Sequence, residues 1–124
     1  MKIMNKRLIF TTSTEIVRVP PESVVFITAD GNYSALTMAD GENFVLTLQL
    51  GQIERRLAEM LDKDDHRFIR IGKSLIVNRD FIAFIHPVRQ KMILSDCRCF
   101  KHEVSASKEA LKTLKELLEK EETV

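Results

Sequence analysis

Hydrophobic and polar positions alternate in short runs through most of the chain, and the period lengthens only twice. Leu8-Ile9-Phe10-Thr11-Thr12 and Glu15-Ile16-Val17-Arg18-Val19 are rich in β-branched residues and predict two strands about a turn near Ser13-Thr14. Pro20-Pro21 stops the second, because proline has no N–H to give to a ladder. Val24-Val25-Phe26-Ile27-Thr28-Ala29 is an apolar run of strand length, so a buried strand. Asp30-Gly31-Asn32 is a turn signal, with glycine for positive φ and Asp and Asn able to bond their own backbone. Tyr33–Met38 returns antiparallel, Asp40-Gly41 makes a second hairpin turn, and 43–47 closes the meander.

Leu50, Ile53, Leu57 and Leu61 then fall on one helical stripe, which Thr47 or a neighbour could cap. A polar knot at 62–66 ends this helix. Strands are expected at 67–71 and 74–77, joined at Gly72-Lys73, and again at 81–86, 92–94 and 97–104. Pro87 and the basic Val88-Arg89-Gln90-Lys91 mark one turn and Ser95-Asp96 another. Ser105 should cap a last helix, in which Ala110, Leu111, Leu114, Leu117 and Leu118 form an apolar face. Its acidic end opposes the helix dipole, so residues 119–124 read as a frayed tail. The pattern is mostly β with two helices, an α+β chain of nine or ten short strands.

Length argues for one domain, with residues 1–7 as an N-terminal extension; 124 residues can bury roughly two-thirds of their unfolded surface. No apolar run approaches the ~20 residues of a membrane helix, and the basic N-terminus lacks the apolar segment of a signal peptide. A cytoplasmic protein without membrane insertion is the default. Net charge is only +1, but it is unevenly spread. Residues 1–62 hold six cations and eight acids, whereas residues 66–101 hold eight cations (Arg67, Arg70, Lys73, Arg79, Arg89, Lys91, Arg98, Lys101) against Asp80 and Asp96. Such asymmetry points to a polyanionic partner as readily as to a solvated strand face.

Catalytic patterns are missing: there is no nucleophile elbow, phosphate loop or zinc-protease motif, and His66, His86 and His102 sit in or beside separate strands. An enzyme is not expected. Neither is a metal or a cofactor. Cys97 and Cys99 would share one strand face, spaced poorly for a disulfide, and read as reduced, partly packed thiols.

One stretch organises the rest. In Phe68-x-Arg70-x-x-Lys73-Ser74-x-Ile76-Val77-Asn78 two apolar strands flank a basic turn, and four cations (Arg67, Arg70, Lys73, Arg79) share thirteen residues without an acid. This run resembles the signature of the LytTR DNA-binding domain. Val25–Tyr33 and Glu103-Val104-Ser105 resemble two further blocks, in the family's order and spacing, so the resemblance covers roughly residues 8–118. It implies three small antiparallel sheets in an elongated arrangement. It also implies a bacterial transcription regulator that reads double-stranded DNA with loops in successive major grooves.

Carried over by position, the resemblance implies base-reading roles for Asn32, Tyr33, Lys73, Ser107 and Lys108. Cations on turns can neutralise phosphates, which nominates Arg70, Arg79, Arg89, Lys91 and Lys101. Ser74, Asn78 and Ser105 match the motif as structural residues that bond turn backbone. The chain departs from the pattern at two points: Ala106-Ser107 stand where an arginine pair is common, and Gly72 where a histidine is frequent. Serine lacks the arginine fork that reads guanine. The alternative is therefore a LytTR-fold interaction module or inhibitor that has lost specific DNA reading. A small-molecule sensor with a pocket in the β core has only the β-rich pattern behind it. The family's usual receiver domain has no room here, so a stand-alone regulator is expected, with a separate sensor or regulatory protein among its possible partners. By the same analogy it would bind as a homodimer on direct repeats.

Overall fold

A computed structural model describes residues 7–122; residues 1–6 of the expected extension and residues 123–124 of the tail lie outside them. The elements are β1 (Leu8–Thr11), β2 (Ile16–Val19), β3 (Val24–Asp30), β4 (Tyr33–Met38), β5 (Asn43–Leu46), α1 (Leu50–Met60), β6 (Phe68–Ile71), β7 (Leu75–Asn78), β8 (Ile82–His86), β9 (Lys91–Ser95), β10 (Lys101–Ser105) and α2 (Lys108–Glu122). Short 3-10 turns at Pro21–Ser23 and Arg79–Phe81 link strands. Among the described residues no helix is long and apolar enough to cross a membrane.

The strands form three antiparallel sheets: β1-β2, β5-β4-β3-β7-β6 and β10-β9-β8. The five-stranded sheet is covered on both faces. Because side chains alternate along a strand, Ile76 points to one face while Leu75 and Val77 point to the other. On the first face Val24, Ile27 and Leu36 pack with Leu8 and Phe10 of β1 and with Leu50, Ile53 and Leu57 of α1. On the second, Val25, Ile71, Leu75 and Val77 pack with Met92 and Leu94 of β9 and with Leu111 and Leu114 of α2. A register shift between Val24 and Phe26 reconciles the unbroken apolar run of β3 with these two cores. An extra residue in one strand changes which face the following side chains meet.

The structure departs from several expectations. The last strand begins at Lys101, not at residue 97. Asp96 Oδ1 accepts from the N–H groups of Arg98 (2.9 Å), Cys99 (2.8 Å) and Phe100 (3.2 Å), and Ser95 Oγ accepts from Cys97 N–H at 2.8 Å. These donors are lost to any ladder, so residues 96–100 form a tight turn. Cys97 sits there at φ 63, and both thiols are free and exposed rather than packed.

The start of the last helix also moves. Ser105 remains in β10 opposite Lys91, and the cap of α2 is Ser107, whose Oγ accepts from Ala110 N–H at 3.1 Å. At α1 the boundary residue is Gln49, a neighbour of Thr47 as expected; its N–H donates to Gln52 Oε1 at 2.8 Å. The last helix, α2, runs on through residues 119–122. Arg79 pairs with Glu121, which offsets the unfavourable carboxylate at the helix C-terminus.

Candidate nucleic-acid interface

Strand register decides which turns share an end of the molecule. Thr28 of β3 pairs with Leu75 of β7, and Asp30 with Tyr33 of β4. The β3–β4 turn (31–32) and the β6–β7 turn (72–73) therefore leave the same end of the five-stranded sheet. Ala29 N–H donates to the Ser74 carbonyl at 2.9 Å and fixes the two turns side by side. Leu46 of β5 lies opposite Ser34, so the approach to α1 is at this end too. There the buried Ser34 hydroxyl donates to the Leu48 carbonyl at 2.7 Å.

The β10–α2 junction is brought to the same end by α2. Gly72 and Ala110 line one small cleft, while Glu121 meets Arg79 beyond the far end of β7. The first turn of α2 thus lies near the β6–β7 turn. Pairing of Lys91 with both His86 and Ser105 sets the β8–β9 turn beside the junction, and Ala106 N–H donates to the Gln90 carbonyl at 3.4 Å.

The base-reading candidates are all here. Gly31 (φ 64) and Gly72 (φ 62) adopt the left-handed backbone that these tight turns require and other residues resist. Asn32 is exposed, its Oδ1 accepting from Gln49 Nε2 at 3.4 Å. Tyr33 opens β4 at 49% exposure. Lys73 is exposed, and its ammonium has no partner among the described residues. Ser107 and Lys108 are exposed, but the Ser107 hydroxyl is engaged as the helix cap.

The phosphate candidates divide. Arg89 is exposed on the β8–β9 turn, and Lys91 pairs with Glu103 at 3.5 Å at the same end. Arg70 is at this end but is occupied as a clamp. Its Nε donates to the Gly72 carbonyl (3.1 Å), Nη2 to the Lys73 carbonyl (2.9 Å) and Nη1 to Glu54 Oε1 of α1 (2.8 Å). Arg79 and Lys101 lie elsewhere: Arg79 follows β7 and pairs with Glu121, and Lys101 starts β10 opposite Ser95. Arg67, next to β6, meets Glu22, Asp65 and Asp80 at 3.6–3.9 Å. The acid-free run of the sequence is thus mostly neutralised in space, and Lys73 is the exception.

The motif residues behave differently from one another. Asn78 is fully buried, donating to the Val24 carbonyl at 2.8 Å and accepting from Asp80 N–H at 3.0 Å. Ser74 acts through its backbone carbonyl rather than its hydroxyl. Sequence reasoning passed over Gln49, Glu54 and Val88. Gln49 precedes α1 and Glu54 lies on it, and both meet distant partners in Asn32 and Arg70; Val88 stands within the basic turn. Among the described residues no group of three or more His, Cys, Asp or Glu is placed to hold a metal.

No curated protein matches the chain. A solved structure from Bacillus cereus, described as the LytTr DNA-binding domain of a methyl-accepting/DNA response regulator, is similar with a TM-score of 0.60 and 22% identity. The match covers 93% of this chain and 98% of that one, and at this identity it speaks for the fold. The sequence model of the LytTr DNA-binding domain matches residues 14–119, most of the chain. The chain belongs to the LytTR family of DNA-binding domains.

Proposed function

We propose that this protein regulates transcription by binding double-stranded DNA through the β3–β4 turn, the β6–β7 turn and the β10–α2 junction, which enter the major groove. The observation that carries this reading is the unpartnered ammonium of Lys73. It stands on a turn whose backbone is held at two carbonyls by Arg70, itself anchored to α1 through Glu54. A turn whose backbone is already braced loses little backbone freedom on binding and presents its cation from a fixed position. Asn32, Tyr33 and Lys108 flank it as further reading groups, while Arg89 and Lys91 reach phosphates. Ser107 contributes by fixing the start of α2. Arg79 and Lys101, remote from this end, take no part, and Arg70 acts by positioning Lys73.

Duplexes selected from a random pool, then titrated at two salt concentrations, test the reading. Lys73→Ala should weaken binding to the preferred site by about tenfold or more and relax one base position, since a good base contact contributes ~1–3 kcal/mol of discrimination. Equal binding of the two proteins to that site would overturn it.

A further inference from the structure

We infer that the β8–β9 turn is a further DNA-reading element, in which Val88 contacts the 5-methyl group of a thymine; this rests on the DNA-binding end proposed above. Val88 is 71% exposed, more than any other large hydrophobic residue described. A single exposed apolar side chain needs no explanation by itself. Its setting supplies one. Gln90 N–H closes the turn on the Pro87 carbonyl at 2.9 Å, and Arg89 N–H donates to His86 Nδ1 at 3.3 Å. Val88 is therefore held out on a closed turn. The turn is also tied to the β10–α2 junction by the bond from Ala106 N–H to the Gln90 carbonyl. The β8–β9 turn and the start of α2 are therefore neighbours at this end.

The surroundings select the partner. Arg89 is exposed next to Val88 without a side-chain partner among the described residues, and Lys91 and Lys108 add positive charge. An exposed apolar group next to the unpartnered cation Arg89 suits a polyanion that offers one apolar feature. In the major groove that feature is the thymine methyl, and valine, with no donor or acceptor, can read nothing else there. Arg89 then holds the neighbouring phosphate.

The test uses the full chain and a selected duplex in which each thymine is replaced in turn by deoxyuridine, which removes the methyl and keeps the pairing. At one position the replacement should weaken wild type about fourfold, the effect of one buried methyl-sized group. Val88→Ser should lose about the same on the thymine duplex and be indifferent to uracil at that position. Val88→Ile should keep the wild-type response, and the salt dependence should be unchanged in both variants. If no thymine is sensitive, or if Val88→Ser responds to every uracil as wild type does, the inference is overturned. Lys73→Ala separates the two failures: a retained Lys73 effect condemns only the role of Val88, and its loss condemns the DNA-reading end itself.

Discussion

Lys73 and its three neighbouring arginines differ in what meets them. Arg70 is met by Glu54, sixteen positions away, and Arg79 by Glu121, forty-two away. Arg67 lies between Glu22, Asp65 and Asp80. A run without acids does not show the carboxylates that meet it, whether they flank it, as Asp65 and Asp80 do, or come from other elements, so the sequence marked four cations where the fold frees one. Asn78 was more legible, because a short polar side chain at the end of an apolar strand has few uses besides bonding backbone. Its burial makes the use measurable. Asn78→Ala leaves the Val24 carbonyl and the Asp80 N–H without their partner, which should cost about 1–3 kcal/mol. The expected observation is a lower urea midpoint at unchanged slope. An unchanged midpoint would mean that water replaces both bonds without penalty.

Among the elements, strands of the five-stranded sheet were readable because both of their faces are covered and their apolar runs have no other use. The region before β10 was not. Its alternation continues through Cys97 and Cys99, but Asp96 offers a carboxylate where the ladder would need free donors, and the local bonds win. Those bonds make the turn sensitive to pH. The N–H groups of Cys99, then Arg98, with a smaller contribution from Phe100, hold the Asp96 carboxyl below the usual aspartate range, against a modest opposing effect of desolvation. A depressed folded pKa means that the stabilisation is complete above the unfolded pKa and is lost as pH falls through the folded one. In an acid titration followed by NMR, the amides of Arg98, Cys99 and Phe100 should shift together with the Asp96 carboxyl. The midpoint should lie below that of an exposed aspartate. Asp96→Ala should remove the transition, and a midpoint at or above the ordinary value would show that the three bonds do not favour the charged form.

Across the whole molecule, the sheet register sorts the basic residues into two ends, a division that no linear count of charge contains. At the end holding the β6–β7 turn, Lys73 and Arg89 are unpartnered among the described residues, and Lys91 has a long pair with the exposed Glu103. Beyond the far end of β7, Arg79 ties the last turn of α2 to the sheet through Glu121, with its side chain only 22% exposed. The two ends should therefore separate stability from DNA binding. Arg79→Gln removes a contact between elements and should lower stability by ~1 kcal/mol, the upper range for a partly exposed pair. It should leave both the affinity for a selected duplex and its salt dependence unchanged. Arg89→Ala should do the opposite, leaving thermal unfolding unaltered while weakening all sequences alike and reducing the slope of log K against log salt by about one unit. A slope that falls by one unit in Arg79→Gln would put that arginine on the DNA backbone. The duplex would then have to cover both ends of the sheet rather than the loop end alone.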